Sequence, residues 1–177
     1  MVGDSTNAMI NGRTGSESEA QQGLTEAIAR ASGRVAVTCF ASNIARIHSI
    51  CMAAQANGRS VAIVGRALNR AISAAREVGY LNDLPDFVQA NDIDLLPPDS
   101  LVIVCTGTQG ETRAAMTRIA AGTHETVSLQ AGDTVIYSSR QIPGNETAIA
   151  RVQDVLIRRN IDLVTDHEAP VHVSGHP

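Results

Sequence analysis

Tryptophan is absent from this 177-residue chain and aromatic residues make up only 2% of it, so its interior has to be built from Val, Ile, Leu and Ala. Such a core suits Ala-rich helices packed on a β-branched sheet. No apolar run approaches the length of a membrane span, and no basic segment followed by an apolar stretch marks a secretory signal. A cytoplasmic protein with no membrane partner is therefore expected. Cys39, Cys51 and Cys105 are odd in number and lack C-x-x-C spacing, which argues against a zinc knuckle or a disulfide frame and for free cytosolic thiols. Positive charge is also scarce: 14 Lys and Arg face 18 Asp and Glu, for a net charge of −4 and a pI near 5.7. That balance speaks against a stand-alone nucleic-acid binder. Arginine dominates the cations, however, and one face can still be positive. Three familiar motifs are missing as well. No G-x-G-x-x-G follows the first strand, no G-x-x-x-x-G-K-[ST] occurs, and there is no G-x-S-x-G elbow.

What remains is a globular composition, 44% hydrophobic and 18% charged, in a chain long enough for one domain with a substantial core. Ser16 and Glu19 form a capping box that opens a first helix, with Leu24, Ala27, Ile28 and Ala31 as its apolar stripe and Ser32-Gly33 as its end. Strands and helices then alternate. Strands are predicted at 34–40, 60–65, 101–106, 126–129, 134–138, 161–165 and 171–174. Helices are predicted from a Ser42 cap to Asn57-Gly58, and at 67–78, 111–121 and 145–159. His48 falls on the inward stripe of the second helix, and Val155 on that of the last. Residues 79–100, with three prolines, form a long connection containing one helical turn. Alternation at this spacing predicts right-handed βαβ units, and so an α/β fold with a mainly parallel, Rossmann-like sheet flanked by helices.

Ligands bind such sheets outside the carboxyl ends of the strands. Here those ends read Cys39 to Asn43, Gly65-Arg66, Thr106 to Gly110 and Ser138 to Asn145. They are small and polar, and several open onto helix N-termini, which favour anions. The last six residues, His172-Val173-Ser174-Gly175-His176-Pro177, add a second signal. Backbone N–H groups, a hydroxyl and imidazoles around a Ser-Gly pair suit a phosphate, and a histidine can act as general acid or base near neutral pH. Because the chain stops one residue after this cluster, it reads as a fragment of a larger protein.

Several segments together resemble the β-CASP domain of ribonuclease J, among the metallo-β-lactamase nucleases. They are Asp4-Ser5-Thr6-Asn7-Ala8, Phe40-Ala41-Ser42-Asn43 with Arg46, Thr106 to Glu111, Gly132 to Ile136, Ile142-Pro143-Gly144-Asn145-Glu146, and His172-Val173-Ser174-Gly175-His176. The terminal run is most similar to ribonuclease J proteins of proteobacterial type. The resemblance implies a single β-CASP domain over 1–177, inserted in a β-lactamase-like domain whose pair of zinc ions it covers. Segments 1–15 and 170–177 would return to that missing domain. It further implies 5′-to-3′ exonuclease and endonuclease action on RNA, with RNA and the β-lactamase-like domain as partners, and a homo-oligomer of the parent.

By this resemblance Asp4 matches an acidic motif and His176 the histidine that works with it near the scissile phosphate. His172, Ser174 and Gly175 match a phosphate-binding loop. Ser42, Asn43, Gly107, Thr108, Gln109, Ser139, Gly144 and Asn145 are the further expected RNA contacts. Two departures matter. The H-x-H-x-D-H metal motif is absent, and histidines at 48, 124, 167, 172 and 176 cannot replace it. The chain is therefore expected to hold no metal and no cofactor, zinc belonging to the intact parent, and to be inactive alone. Thr108 and Thr112 stand where Ser and Pro are usual.

Taken without the resemblance, several of these residues read more plainly. Asp4 is an Asx-turn residue, the terminal histidines are surface groups, and Thr106 to Gly110 is equally a tight strand-to-helix turn or a ligand loop. His48 reads as a packing residue, His124 and His167 as inert loop residues, and Cys39 and Cys105 as core thiols. A free-standing α/β module that binds a nucleotide or phosphorylated small molecule, without chemistry, is the alternative reading.

Overall fold

The computed structural model describes residues 14–174. Asp4, Gly175 and His176, and the segments 1–13 and 175–177, lie outside the described residues. The described chain runs α1 (Glu17–Arg30), β1 (Val35–Thr38), α2 (Ile44–Ala56), β2 (Ser60–Val64), α3 (Arg66–Glu77), β3 (Leu101–Cys105), α4 (Ala115–Ala120), β4 (Thr134–Tyr137), α5 (Glu146–Arg158) and β5 (Asp162–Val164). The five strands form one sheet, all parallel, in the order β2-β3-β1-β4-β5. This is the expected α/β architecture.

Strand pleating sends alternate side chains to opposite faces, and both faces are covered. Val35, Val37, Val61, Ile63, Val102, Val104 and Ile136 pack beneath α1, α2 and α3. Ala36, Ala62, Val64, Ile103, Cys105, Val135 and Tyr137 pack beneath α4 and α5. The connection after α3 carries the chain between these faces. Val88 donates its N–H to Val61 at 2.8 Å along the free edge of β2. Short 3-10 turns at Ala90–Leu95 and Pro98–Ser100 then bring the fully buried Ile93 under the α4–α5 face.

The first helix starts as expected. Ser16 Oγ accepts from Glu19 N at 3.2 Å, and Glu19 Oε2 accepts from Ser16 N at 3.0 Å. A guanidinium closes its C-terminal end, because Arg59 donates to Ile28 O in the last turn at 3.3 Å and to Gly33 O just beyond the helix at 2.7 Å. Arg159 does the same for α4, donating to Ile119 O and Ala120 O at 3.0 and 2.8 Å. Gly23 lets the C-terminal segment cross α1: a Cβ there would lie 2.4 Å from Pro170 O.

Four expectations are corrected. Residues 126–129 and 171–174 are not strands. Val127, Leu129 and Val171 are buried, but they fill the core through their side chains without joining the sheet, whose outer strands remain β2 and β5. The helix expected at 111–121 is only Ala115–Ala120, because Glu111 turns back to accept from Gln109 N at 3.0 Å and belongs to the loop. Asn43, not Ser42, caps α2, its Oδ1 accepting from Arg46 N at 3.0 Å. His48 is half-exposed and Val155 exposed, so neither belongs to the core stripe. His48 Nε2 lies 2.8 Å from Asp83 Oδ2, and this hydrogen bond holds the Asp83 carboxyl below its ordinary range.

Candidate nucleic-acid interface

The register places Val64, Cys105, Thr38 and Tyr137 in one row, so the loops that follow β2, β3, β1 and β4 leave from one edge. Two buried polar side chains organise that edge.

The first is Arg46, on α2, which has no exposed surface. Its guanidinium grips Glu17 of α1 through both carboxylate oxygens, Nε to Oε1 at 2.7 Å and Nη2 to Oε2 at 2.9 Å. Nη1 faces the other way. It lies 2.8 Å from Ser138 Oγ, just beyond β4, and 3.0 Å from Nδ1 of His172. Ser138 Oγ in turn donates to Val171 O at 2.7 Å. One cation therefore ties α1, α2, the end of β4 and the segment carrying His172.

This contact fixes the state of His172. A guanidinium has donors only, so Nδ1 must be the acceptor and the ring proton must sit on Nε2. His172 is thus a neutral imidazole with an N–H donor facing away from Arg46. Burial pushes its pKa below the ordinary histidine value, and the charges of Arg46 and Arg140 add to this against Asp166 and Glu17. Glu17 is under opposing influences. Burial raises its pKa, but hydrogen bonds from Arg46 and Ser49 and the Arg46 charge outweigh that and hold it low.

The second organiser is Gln109, which follows β3. Its amide Nε2 donates to Arg140 O at 2.9 Å and to Thr108 Oγ1 at 3.3 Å. Its Oε1 accepts from Ile142 N at 2.9 Å and Asn145 Nδ2 at 3.2 Å. The loops after β3 and β4 are thereby stapled together. Gly110 completes the junction: its φ is +70°, and a Cβ there would lie 2.5 Å from the backbone of Ala148 in α5.

The expected site residues separate accordingly. His172 and Ser174 lie half-buried on the segment held by Arg46. Thr108, Gln109 and Asn145 meet in the second cluster, with Ser139 in the adjoining loop. Thr108, Gln109 and Ser139 are buried, so their polar atoms serve the loops first. Gly107 has a φ of +119°, and Gly144 is exposed with its N–H on Glu146 Oε2 at 2.8 Å. Ser42 is exposed and lines an apolar groove between α1, α2 and α3, while Asn43 is used as a helix cap. A polar cleft of about 420 Å³ opens beside the Gln109 junction, lined in part by Thr108, Tyr137, Ser139, Arg140, Gln153 and His167. Sequence reasoning gave Glu17 and Ser138 no role, and Arg46 none beyond a place in a motif. The available signal was Arg46 itself, three residues after the cap on a helix whose inner face is apolar apart from Ser49.

Among the described residues, no three His, Cys, Asp or Glu side chains gather as a metal site. The cysteines are buried, and burial pushes the Cys39 and Cys51 thiols up to about 12 and Cys105 higher still, so all three are protonated packing groups. No helix among the described residues is long and apolar enough to cross a membrane.

The family model for "Ribonuclease J, beta-CASP domain" matches residues 32–156. The chain is 44% identical over 177 residues to ribonuclease J of Sinorhizobium meliloti, covering all of this chain and 31% of that protein. It is 46% identical over 174 residues to ribonuclease J of Mycolicibacterium smegmatis, and 36% identical over 178 residues to that of Helicobacter pylori. Those matches cover 98% and 99% of this chain, and 31% and 26% of the relatives, so the chain spans less than a third of each. An all-parallel sheet with its polar loops gathered on one edge, and a family match across well over half of the chain, lead to one conclusion: this chain belongs to the β-CASP domain family of ribonuclease J.

Proposed function

We propose that this β-CASP domain contacts RNA and covers the active site of a zinc-dependent ribonuclease J, acting in cytoplasmic RNA processing and decay. The segment 1–177 forms the inserted domain, and its two ends return to a β-lactamase-like domain elsewhere in the parent. The donor set of the described residues does not suit a zinc pair, so the zinc ions are assigned to that other domain and the isolated chain is inactive. The carrying observation is the Arg46 cluster, which fixes His172 at the carboxyl edge as a neutral N–H donor. A donor that needs no protonation suits a phosphate at neutral pH. Ser174 and Gly175 supply further donors to the same anion, while Asp4 and His176 handle the proton at the scissile bond. Thr108, Gln109, Ser139, Gly144, Asn145, Ser42 and Asn43 shape or line the path of the RNA.

The test uses the intact ribonuclease J that contains this segment. Ser174→Ala removes one donor to a charged oxygen and is expected to weaken RNA binding by about 1 to 3 kcal/mol with the fold intact. His176→Ala is expected to slow the cleavage step more than it weakens binding. Single-turnover cleavage and separate RNA titrations distinguish the two. Unchanged cleavage in His176→Ala removes the acid–base assignment, and unchanged binding in Ser174→Ala removes the phosphate loop.

A further inference from the structure

Four arginines line a cleft of about 670 Å³ where the carboxyl ends of β2 and β3 open, and the phosphate loop at His172 makes no use of them. Arg66 and Arg70 come from the start of α3, Arg113 from the loop before α4, and Arg118 from α4. The chain contains no lysine, so all its cationic side chains apart from histidine are arginines, and its net charge is −4. A concentration of four arginines in one cleft runs against that overall balance. Glu125 is the one carboxylate among the lining residues, and it faces Arg118 at 3.4 Å. Arg66, Arg70 and Arg113 are exposed, and their side chains have no hydrogen-bond or ion-pair partner among the described residues.

Unpaired guanidiniums held together repel one another, and a polyanion placed among them removes that repulsion. Planar, bidentate guanidiniums match phosphate oxygens particularly well. The first N–H groups of α3 add to the field, because the Gly65 cap offers no side chain to satisfy them. His124 lines the same wall, but burial and the Arg118 charge hold its pKa below the ordinary value, so it contributes little positive charge at neutral pH. No Phe or Tyr lines the cleft, so it has no platform on which a base could stack.

We infer that the Arg66–Arg70–Arg113–Arg118 cleft is a second phosphate-contacting site, which holds the sugar–phosphate backbone of single-stranded RNA away from the His172 loop. The inference rests on the RNA reading above and deepens it. β2 and β4 lie three strand positions apart in the sheet, about 14 Å at the usual spacing. A strand engaged at His172, beside β4, reaches the cleft only about two nucleotides further on. The contact is to backbone and is therefore independent of sequence and sensitive to salt.

The test compares two RNA probes on the intact ribonuclease J containing this segment: a 5′-phosphorylated dinucleotide and a mixed-sequence RNA of about ten nucleotides. Arg66→Gln with Arg113→Gln is expected to weaken binding of the longer RNA about tenfold. It is also expected to reduce the slope of log affinity against log salt by about 1.4, for two phosphates released. Dinucleotide binding should be unchanged. Arg30→Gln with Arg151→Gln, which removes two exposed charges elsewhere, is the control and should leave the slope alone. Equal loss in both pairs would reduce the effect to net charge and overturn the proposal. So would a double variant that binds the longer RNA like the unaltered protein. Failure of the RNA reading looks different: Ser174→Ala would leave binding of both probes unchanged.

Discussion

Arg46 and Gln109 are both buried, and both hold the carboxyl edge of the sheet, but they work through opposite chemistry. Gln109 is neutral and uses its whole amide, with both donors and both acceptor positions engaged. Most of its partners lie 31 to 36 residues away, in the single loop after β4. Arg46 is charged, is balanced by one carboxylate, and reaches partners 92 and 126 residues away. The neutral staple joins two neighbouring loops and leaves no electrostatic debt. The charged hub holds the C-terminal segment and sets the tautomer of His172, at the cost of depending on Glu17 remaining ionised. Rigid loop structure and chemical state are thus assigned to different residues.

The largest break in this comparison is Arg46→Met, which keeps much of the volume but removes the cation. It leaves Glu17 with only the Ser49 hydroxyl and Ser138 without its guanidinium donor, and is expected to cost about 3 kcal/mol in urea unfolding. The low end of the range for a broken pair applies because the Glu17 side chain is 33% exposed and can still reach water. Glu17→Gln in the same background should recover part of that loss, and a double-mutant cycle measures how much. Gln109→Ala comes next. It removes partners from Arg140 O, Ile142 N and Asn145 at once, and about 2 kcal/mol is expected. Its effect should be confined to the loops after β3 and β4, seen as faster amide exchange there, with the His172 resonances undisturbed.

The two hubs also differ in how legible they are. The alternation of β-branched runs with Ala-rich helices is local, so the parallel sheet, the Ser16–Glu19 box and the loop at Thr106–Gly110 could be read directly. Residues 126–129 and 171–174 have strand-like composition, but a strand needs a neighbour to pair with, and pairing is a property of the whole sheet. His48 sits at a core-like spacing, yet α2 turns that position toward Asp83, on the connection after α3. Gln109 stood inside a recognisable motif and was named. Arg46 falls within a motif that says nothing of its role, because its burial is made possible by Glu17, Ser138 and Val171, which no local pattern brings together. Arginine is rarely fully buried without partners, and nothing in the residues around position 46 announces them. The arginine cleft is equally hidden, since its members meet only where the starts of α3 and α4 follow the neighbouring ends of β2 and β3.

Acid separates the hubs with the smallest perturbation. Glu17 has a folded-state pKa below its unfolded value, so its stabilisation is complete above the ordinary Glu range and is lost as pH falls through the folded value. His172 acts in the same direction, at higher pH. Its folded pKa is lowered, so the unfolded chain takes up the proton first and stability begins to fall as pH drops through the ordinary histidine range. His124 adds a parallel contribution beside Arg118. Gln109 does not titrate. Urea midpoints measured from about pH 7.5 down to about pH 4 should therefore fall in two stages. Glu17→Gln should make the more acidic stage shallower, with Asp83 and Glu168 carrying the remainder, and leave the first in place. Gln109→Ala should lower the whole curve without changing its shape. A Glu17→Gln curve as steep at the acid end as that of the unaltered chain would show that the Arg46 hub does not depend on its carboxylate, and the contrast between charged and neutral hubs would then collapse to one of position alone.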